Sequence, residues 1–140
     1  MNLPISESEK FTGIGYLVVK VSTARGAIPL ENASVNIRGA EPEISGVLFS
    51  LSSDSAGLTE KLSLPAPPRS LSESPSIVIP YALYNIDVFK EGYYDLHFNN
   101  VAVFDSITSI QPAVMIPNPE NRFADNYASN GELSPDDINR

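Results

Sequence analysis

The segment Tyr84-Asn85-Ile86-Asp87-Val88-Phe89-Lys90 alternates apolar and polar residues with a period of two. That period belongs to a β-strand with one buried face, and a helix cannot satisfy it. Tyr84, Ile86 and Val88 form the apolar face. Similar short runs recur along the chain. In Tyr16 to Thr23, Leu17, Val19 and Val21 share one face, with Tyr16, Val18, Lys20 and Ser22 on the other. Further strands are expected over 33–38 (Val35 and Ile37 inward), 47–52 (Val47, Phe49, Leu51), 58–64, 94–103 with a kink at Asn99-Asn100, and 107–116. Pro112 interrupts the last, which points to an edge strand or a bulge. Helical periodicity is nearly absent. Six or seven short strands separated by turns predict an all-β, antiparallel sandwich. Its predicted core is Leu17, Val19, Val21, Val35, Ile37, Phe49, Ile86 and Val88.

The connections carry turn chemistry. Ala24-Arg25-Gly26, Asp54-Ser55-Ala56-Gly57 and Glu91-Gly92-Tyr93 read as tight turns, in which glycine supplies positive φ and Asp54 bonds nearby amides. Gly39 to Gly46 is a loop containing Pro42. Residues 65–80 hold Pro65, Pro67, Pro68, Pro75 and Pro80, so this stretch reads as a loop. It is either a connector pinned by its prolines or a recognition surface, on which Pro67, Pro68 and Arg69 are candidates.

Three regions follow: an arm over 1–12, a sandwich over 13–117, and a polar, acidic tail over 118–140 with too few large apolar residues to fold alone. Within the tail, Ser134-Pro135-Asp136-Asp137 has the form of a helix start of about one turn. The opening residues Met1 to Glu7 show no basic segment followed by an apolar run, so no secretory signal is expected. No apolar stretch is long enough to span a bilayer, and a soluble protein is expected, cytoplasmic or exported without reliance on disulfides.

The 140 residues carry a formal net charge of -8, from 17 acidic and 9 basic side chains. This balance argues against nucleic acid and against anionic membranes as partners. With no cysteine, thiolate metal sites and cysteine nucleophiles are excluded. The single histidine, His97, cannot form a histidine metal cluster. No Gly-x-Ser-x-Gly elbow marks a serine nucleophile for it, so a surface role is expected. Asp54, Asp87, Asp95 and Asp105 are scattered, and Asp54 and Asp105 fit turns. Asn126 to Gly131 fails as a calcium loop because Ala128 falls at a ligand position. Gly13-Ile14-Gly15 lacks the third glycine and the strand-to-helix setting of a dinucleotide site. No catalytic, cofactor or metal residues are assigned, and no enzyme activity is expected. The candidate interaction surface is Tyr81, Tyr84, Tyr93 and Tyr94 with Pro67, Pro68 and Arg69. Exposed tyrosines would suit sugar rings or a protein partner; the alternative is that some lie in the core and the rest pack across the sheet.

The order of three motifs resembles the carboxypeptidase regulatory-like domains. Pro29-Leu30-Glu31-Asn32-Ala33-Ser34-Val35 matches their Pro-Leu-x-x-Ala-x-Val opening. Asp54 and Gly57 match an Asp-x-x-Gly before a strand, and Tyr84, Ile86, Val88, Gly92 and Tyr93 match a later strand and turn. The likeness covers about residues 14–116 and implies a transthyretin-like, seven-stranded Greek-key sandwich. A closer similarity, through Val103 to Pro112, is to β-domains of clostridial-type spore cortex-lytic and peptidoglycan-binding proteins. It implies a non-catalytic accessory or binding module of a bacterial cell-envelope or spore system, with a protein or peptidoglycan-type glycan as partner and a homo-oligomer as a possibility. The alternatives are a self-assembling structural protein or a hydrolase. Hydroxyisourate hydrolase, which shares the architecture, is set aside because its several histidines and Tyr-Arg-Gly-Ser end have no match in His97 and Ile138-Asn139-Arg140.

Overall fold

The structure is a computed structural model and describes residues 10–70 and 80–120. It contains eight strands: β1 (Gly13–Thr23), β2 (Ile28–Pro29), β3 (Ser34–Gly39), β4 (Leu48–Ser52), β5 (Leu62–Ala66), β6 (Ala82–Phe89), β7 (Leu96–Val103) and β8 (Thr108–Val114). Two short 3-10 turns, Ala24–Gly26 and Pro42–Ile44, punctuate them. The eighth strand beyond the expected seven is the two-residue β2.

The strands form two four-stranded sheets. In one, β1 is central; β5 and β2 pair antiparallel along one edge, and β8 pairs along the other. The second sheet runs β4-β3-β6-β7, antiparallel throughout. The β1–β8 pairing is parallel, with Val18 beside Ile110 and Lys20 beside Pro112. This corrects the expectation of purely antiparallel sheets. Alternation fixes which face a strand buries but is silent on its direction.

The two inner faces build the core. Leu17, Val19, Val21, Leu62, Leu64, Ala113 and Met115 come from the first sheet and its continuation; Val35, Ile37, Ala82, Tyr84, Ile86, Val88 and Val103 come from the second. Seven of the eight predicted core residues are fully buried. Phe49 is the exception at 37% exposed. It pairs with Ile37 and so faces inward, but β4 is an outer strand with no pairing beyond β3 among the described residues. At such an edge, an inward side chain keeps contact with water.

Hydrogen bonding explains where prolines are tolerated. The Tyr16 N–H donates to the Ile107 carbonyl at 2.9 Å, and the Met115 N–H to the Ser22 carbonyl at 2.7 Å. The odd-numbered residues of β8 therefore face β1, and Pro112 turns its nitrogen to the free edge. On the opposite side of β1 the odd-numbered residues bond outward: Val21 N–H donates to the Gly57 carbonyl at 2.7 Å, and Thr59 N–H to the Val19 carbonyl at 3.0 Å. Pro65, opposite Ile14, then also points its nitrogen away from the sheet. Neither proline breaks a ladder bond. Pro65 belongs to β5, so this strand runs two residues into the stretch read as a loop, while Leu58 makes only an isolated bridge to Lys20.

The turns follow their sequence signals. Asp54 Oδ1 accepts from the N–H groups of Ala56 (2.9 Å) and Leu58 (3.0 Å). Gly57 has φ 81°, and a Cβ there would collide with the Val21 carbonyl. Tyr93 N–H closes a turn on the Lys90 carbonyl at 3.1 Å. The kink expected at Asn99-Asn100 is a β-bulge: the β6–β7 register shifts between Tyr84 and Ile86, and Asn100 takes φ 61°.

Of the arm, Lys10 reaches Glu41 at 3.7 Å and Glu43 at 4.0 Å, and Phe11 packs partly against the core. Residues 1–9 and 121–140, with the helix start expected at Ser134, lie outside the described residues, as do Pro75 and residues 71–79.

Candidate interaction surfaces

The outer face of the β4-β3-β6-β7 sheet carries a cross-strand polar row. Ser50, Asn36, Asp87 and His97 stand side by side, one from each strand. The Ser50 hydroxyl donates to Asn36 Oδ1 at 3.0 Å. His97 Nδ1 lies 2.6 Å from Asp87 Oδ1, and Arg38 approaches Asp87 Oδ2 at 3.7 Å. Asp87 accepts from Nδ1–H, and the His97 side chain is more than half exposed. Phe89 packs edge-on against the His97 ring, with centroids 6.0 Å apart. Beside this row is a shallow depression of about 380 Å³ lined by Ser34, Asn36, Ser50, Leu51, Ser52 and Glu60. His97 thus occupies the surface position expected for it. Its tie to Asp87 is not legible in the sequence, because the pairing follows from the β6–β7 register, which neither strand states alone.

The tyrosines do not form a strip. Tyr84 is fully buried. Its hydroxyl donates to the Pro65 carbonyl at 2.6 Å, and burial, aided by nearby Glu41, holds its pKa far above the ordinary tyrosine value. It is removed from the candidate surface: its place on the inward face of β6 makes it core. Tyr81 lies just before β6 and packs edge-on against Phe104 at 5.5 Å. Tyr93 and Tyr94 lie past the other end of β6; Tyr93 is packed partly against the core, and Tyr94 is 54% exposed.

The proline segment also divides. Pro67 is fully buried, which corrects its placement on the surface. It follows Ala66, the last residue of β5, and the inward packing of that strand carries on through it. Pro68 is half-buried. Arg69 is exposed, and its N–H donates to Asp105 Oδ2 at 2.7 Å. Asp105 also accepts from the Ile14 N–H at 3.2 Å and the Ser106 hydroxyl at 3.1 Å. The Arg69 hydrogen bond is the leading cause of its lowered pKa. Asp105 therefore does more than cap a local turn: it ties the start of β1 to the segment after β5.

The other sheet's outer face is apolar around β8. Ile110 is 62% exposed, and Val114 and Ile116 also project into solvent. No cluster of three or more metal-ligating side chains occurs among the described residues. No helix among them is long and apolar enough to cross a membrane.

No protein-family model matches the chain, and no curated protein matches it. Solved structures do share its fold. It aligns with the 3-chlorocatechol 1,2-dioxygenase of Rhodococcus opacus 1CP at a TM-score of 0.53 and 13% identity, over 82% of this chain and 64% of that one. With the Bacillus anthracis TIE protein the TM-score is 0.51 at 12% identity, over 75% and 17%. With hydroxyquinol 1,2-dioxygenase of Pseudomonas putida DLL-E4 it is 0.50 at 11% identity, over 76% and 57%. The chain spans less than two thirds of each of these proteins. At such identities the likeness is one of fold, and the fold is a β-sandwich.

Proposed function

We propose that this protein is a non-catalytic binding module of a bacterial cell-envelope or spore-associated system, acting through protein or glycan contacts. The observation that carries this reading is the row Ser50–Asn36–Asp87–His97. It sets hydroxyl, amide, carboxylate and imidazole groups across four strands at the roughly 4.8 Å spacing of a sheet. Such a surface offers alternating donors and acceptors to a ligand rich in hydroxyl or amide groups, as peptidoglycan is. Tyr94, exposed at one end of the sandwich, adds an aromatic platform. The motif order from Pro29 to Tyr93 supports kinship with carboxypeptidase regulatory-like, transthyretin-like domains and with the accessory modules of wall-acting proteins.

A hydrolase is the second reading, favoured by the 2.6 Å Asp87–His97 contact. That pair orients an imidazole, as a general base requires. Its hydrogen bonding among the described residues ends at Asp87, so the nucleophile would have to be supplied by a bound water or a substrate.

Sedimentation with purified peptidoglycan tests the first reading, with wild type beside the Asn36→Ala, His97→Ala double variant and a Tyr94→Ala variant. Retention of wild type and its loss in the double variant are expected. Failure of wild type both to sediment with peptidoglycan and to retain a partner from cell lysate refutes binding. Peptidase, glycosidase or esterase activity lost on His97→Ala with the fold intact would favour the hydrolase.

A further inference from the structure

Three of the sheet edges carry features that oppose the addition of another strand. On β8 the nitrogen of Pro112 points to the free edge, and on β5 that of Pro65 does. On β7 the run is broken by the Asn99-Asn100 bulge, with Asn100 in the left-handed region. Prolines and bulges are the usual means of keeping an edge closed. The two-residue β2 is too short to template a partner.

The edge of β4 has none of these. Leu48-Phe49-Ser50-Leu51-Ser52 is five residues long, with no proline, glycine, bulge or charge. The Gly39 N–H donates to the Val47 carbonyl at 3.0 Å, and the Ser53 N–H to the Ala33 carbonyl at 3.1 Å. The odd-numbered residues of β4 therefore bond to β3. The N–H and C=O groups of Leu48, Ser50 and Ser52 point to the free edge, where no hydrogen bond to them is found among the described residues. Two apolar side chains accompany this open ladder. Leu48 is 66% exposed, and Phe49 is uncovered although it shares the inward side with buried Ile37.

We propose that the protein forms a two-fold dimer in which the β4 strands of two copies pair antiparallel about Ser50, joining two four-stranded sheets into one of eight strands. This rests on the reading of the protein as a contact module and names one of its partners, a second copy of the chain. The occupant follows from the self-complementarity of the strand. Centred on Ser50, the pairing sets Ser50 against Ser50 and Leu48 against Ser52 at hydrogen-bonded positions, all with edge-facing groups available. Phe49 of each copy then meets Leu51 of the other at the closer, non-hydrogen-bonded positions, on the side where Phe49 lacks cover. No charge faces a like charge along the strand. The rows on the outer face continue across the axis, Asn36–Ser50 running into Ser50–Asn36. Each copy carries a net charge of -8, so the association strengthens as salt screens the general repulsion.

Analytical ultracentrifugation over a concentration series, at low and moderate salt, tests the proposal. Wild type should pass from monomer to dimer with concentration, at lower concentration in the higher salt. Ser50→Lys, which sets two ammonium groups against each other on the axis, should abolish the dimer; Thr108→Lys on the β8 edge should leave it intact. Circular dichroism checks that each variant is folded. Should Ser50→Lys not fold, single thiols decide the matter, since the natural chain has no cysteine. Under mild oxidation Ser50→Cys should cross-link, its Cα atoms being about 5.5 Å apart across the axis. Ser52→Cys, which faces Leu48, should cross-link at least tenfold more slowly. A monomer at every concentration, a dimer indifferent to Ser50→Lys, or equal cross-linking at both positions overturns the proposal. Peptidoglycan or lysate partners retained by a strict monomer would overturn self-pairing while leaving the binding-module reading standing.

Discussion

The Tyr84 hydroxyl donates to the Pro65 carbonyl at 2.6 Å, a side-chain bond from β6 to β5 that fastens one sheet to the other. A tyrosine can lie this deep in the sandwich because its polar atom finds a partner there. Tyr84→Phe keeps the ring and loses the bond, leaving the Pro65 carbonyl underserved. The expected cost is about 1–2 kcal/mol in urea unfolding, with an unchanged m-value. The pH dependence has a definite sign. The folded pKa is raised, so the contribution of Tyr84 is complete below the unfolded tyrosine pKa of about 10 and is lost as pH rises above it. Wild type should lose stability above about pH 10 more steeply than Tyr84→Phe.

Asp105 acts at the acid end. Its pKa is lowered, first by the Arg69 N–H and further by Ile14 and Ser106. Its stabilisation is present above the unfolded carboxylate pKa of about 4 and disappears as pH falls through the lower folded value. Asp105→Asn should destabilise at neutral pH, and the difference from wild type should shrink at the lowest pH. Denaturant titrations from pH 2 to pH 7 check this.

Gly57 is expected to tolerate no side chain. Its positive φ and its approach to the Val21 carbonyl both oppose a Cβ. Gly57→Ala should cost roughly 1–3 kcal/mol. Hydrogen exchange should quicken at Val21, whose N–H donates to the Gly57 carbonyl.

His97→Ala removes an exposed hydrogen-bond partner from Asp87. Its stability should stay within about 1 kcal/mol of wild type, as surface pairs seldom contribute more. A larger loss in thermal unfolding would show that the polar row is part of what holds β7 on the sheet.

The sequence disclosed the two-layer design because alternation states its own buried face: Leu17, Val19 and Val21 on β1, then Ile86 and Val88 on β6. It disclosed Pro112 as an edge marker for the same local reason, since a missing donor is a property of one residue. Phe49 shows the limit. Its alternation is correct, yet burial there depends on how far the opposing sheet extends. Tyr84 and Pro67 show another, because aromatic and proline residues suit surface and core alike until packing decides. The Asp87–His97 contact and the Asp105 tie depend on register and long-range closure, and no local pattern encodes either.

The parallel pairing of β1 with β8 bears on how the chain reaches this state. The Thr23 hydroxyl donates to the Met115 carbonyl, 92 residues further on. In synthesis β1 emerges before the other seven strands, and it waits for nearly the entire domain before the neighbour on its second edge exists. Its unmatched margin is a hazard throughout synthesis, since a growing chain offers other strands to capture. Closure across such a span is entropically slow and places the domain among millisecond-to-second folders. A nascent chain halted before Thr108 should therefore be a client of chaperones, and release of the last few strand residues should act as the signal that ends their hold.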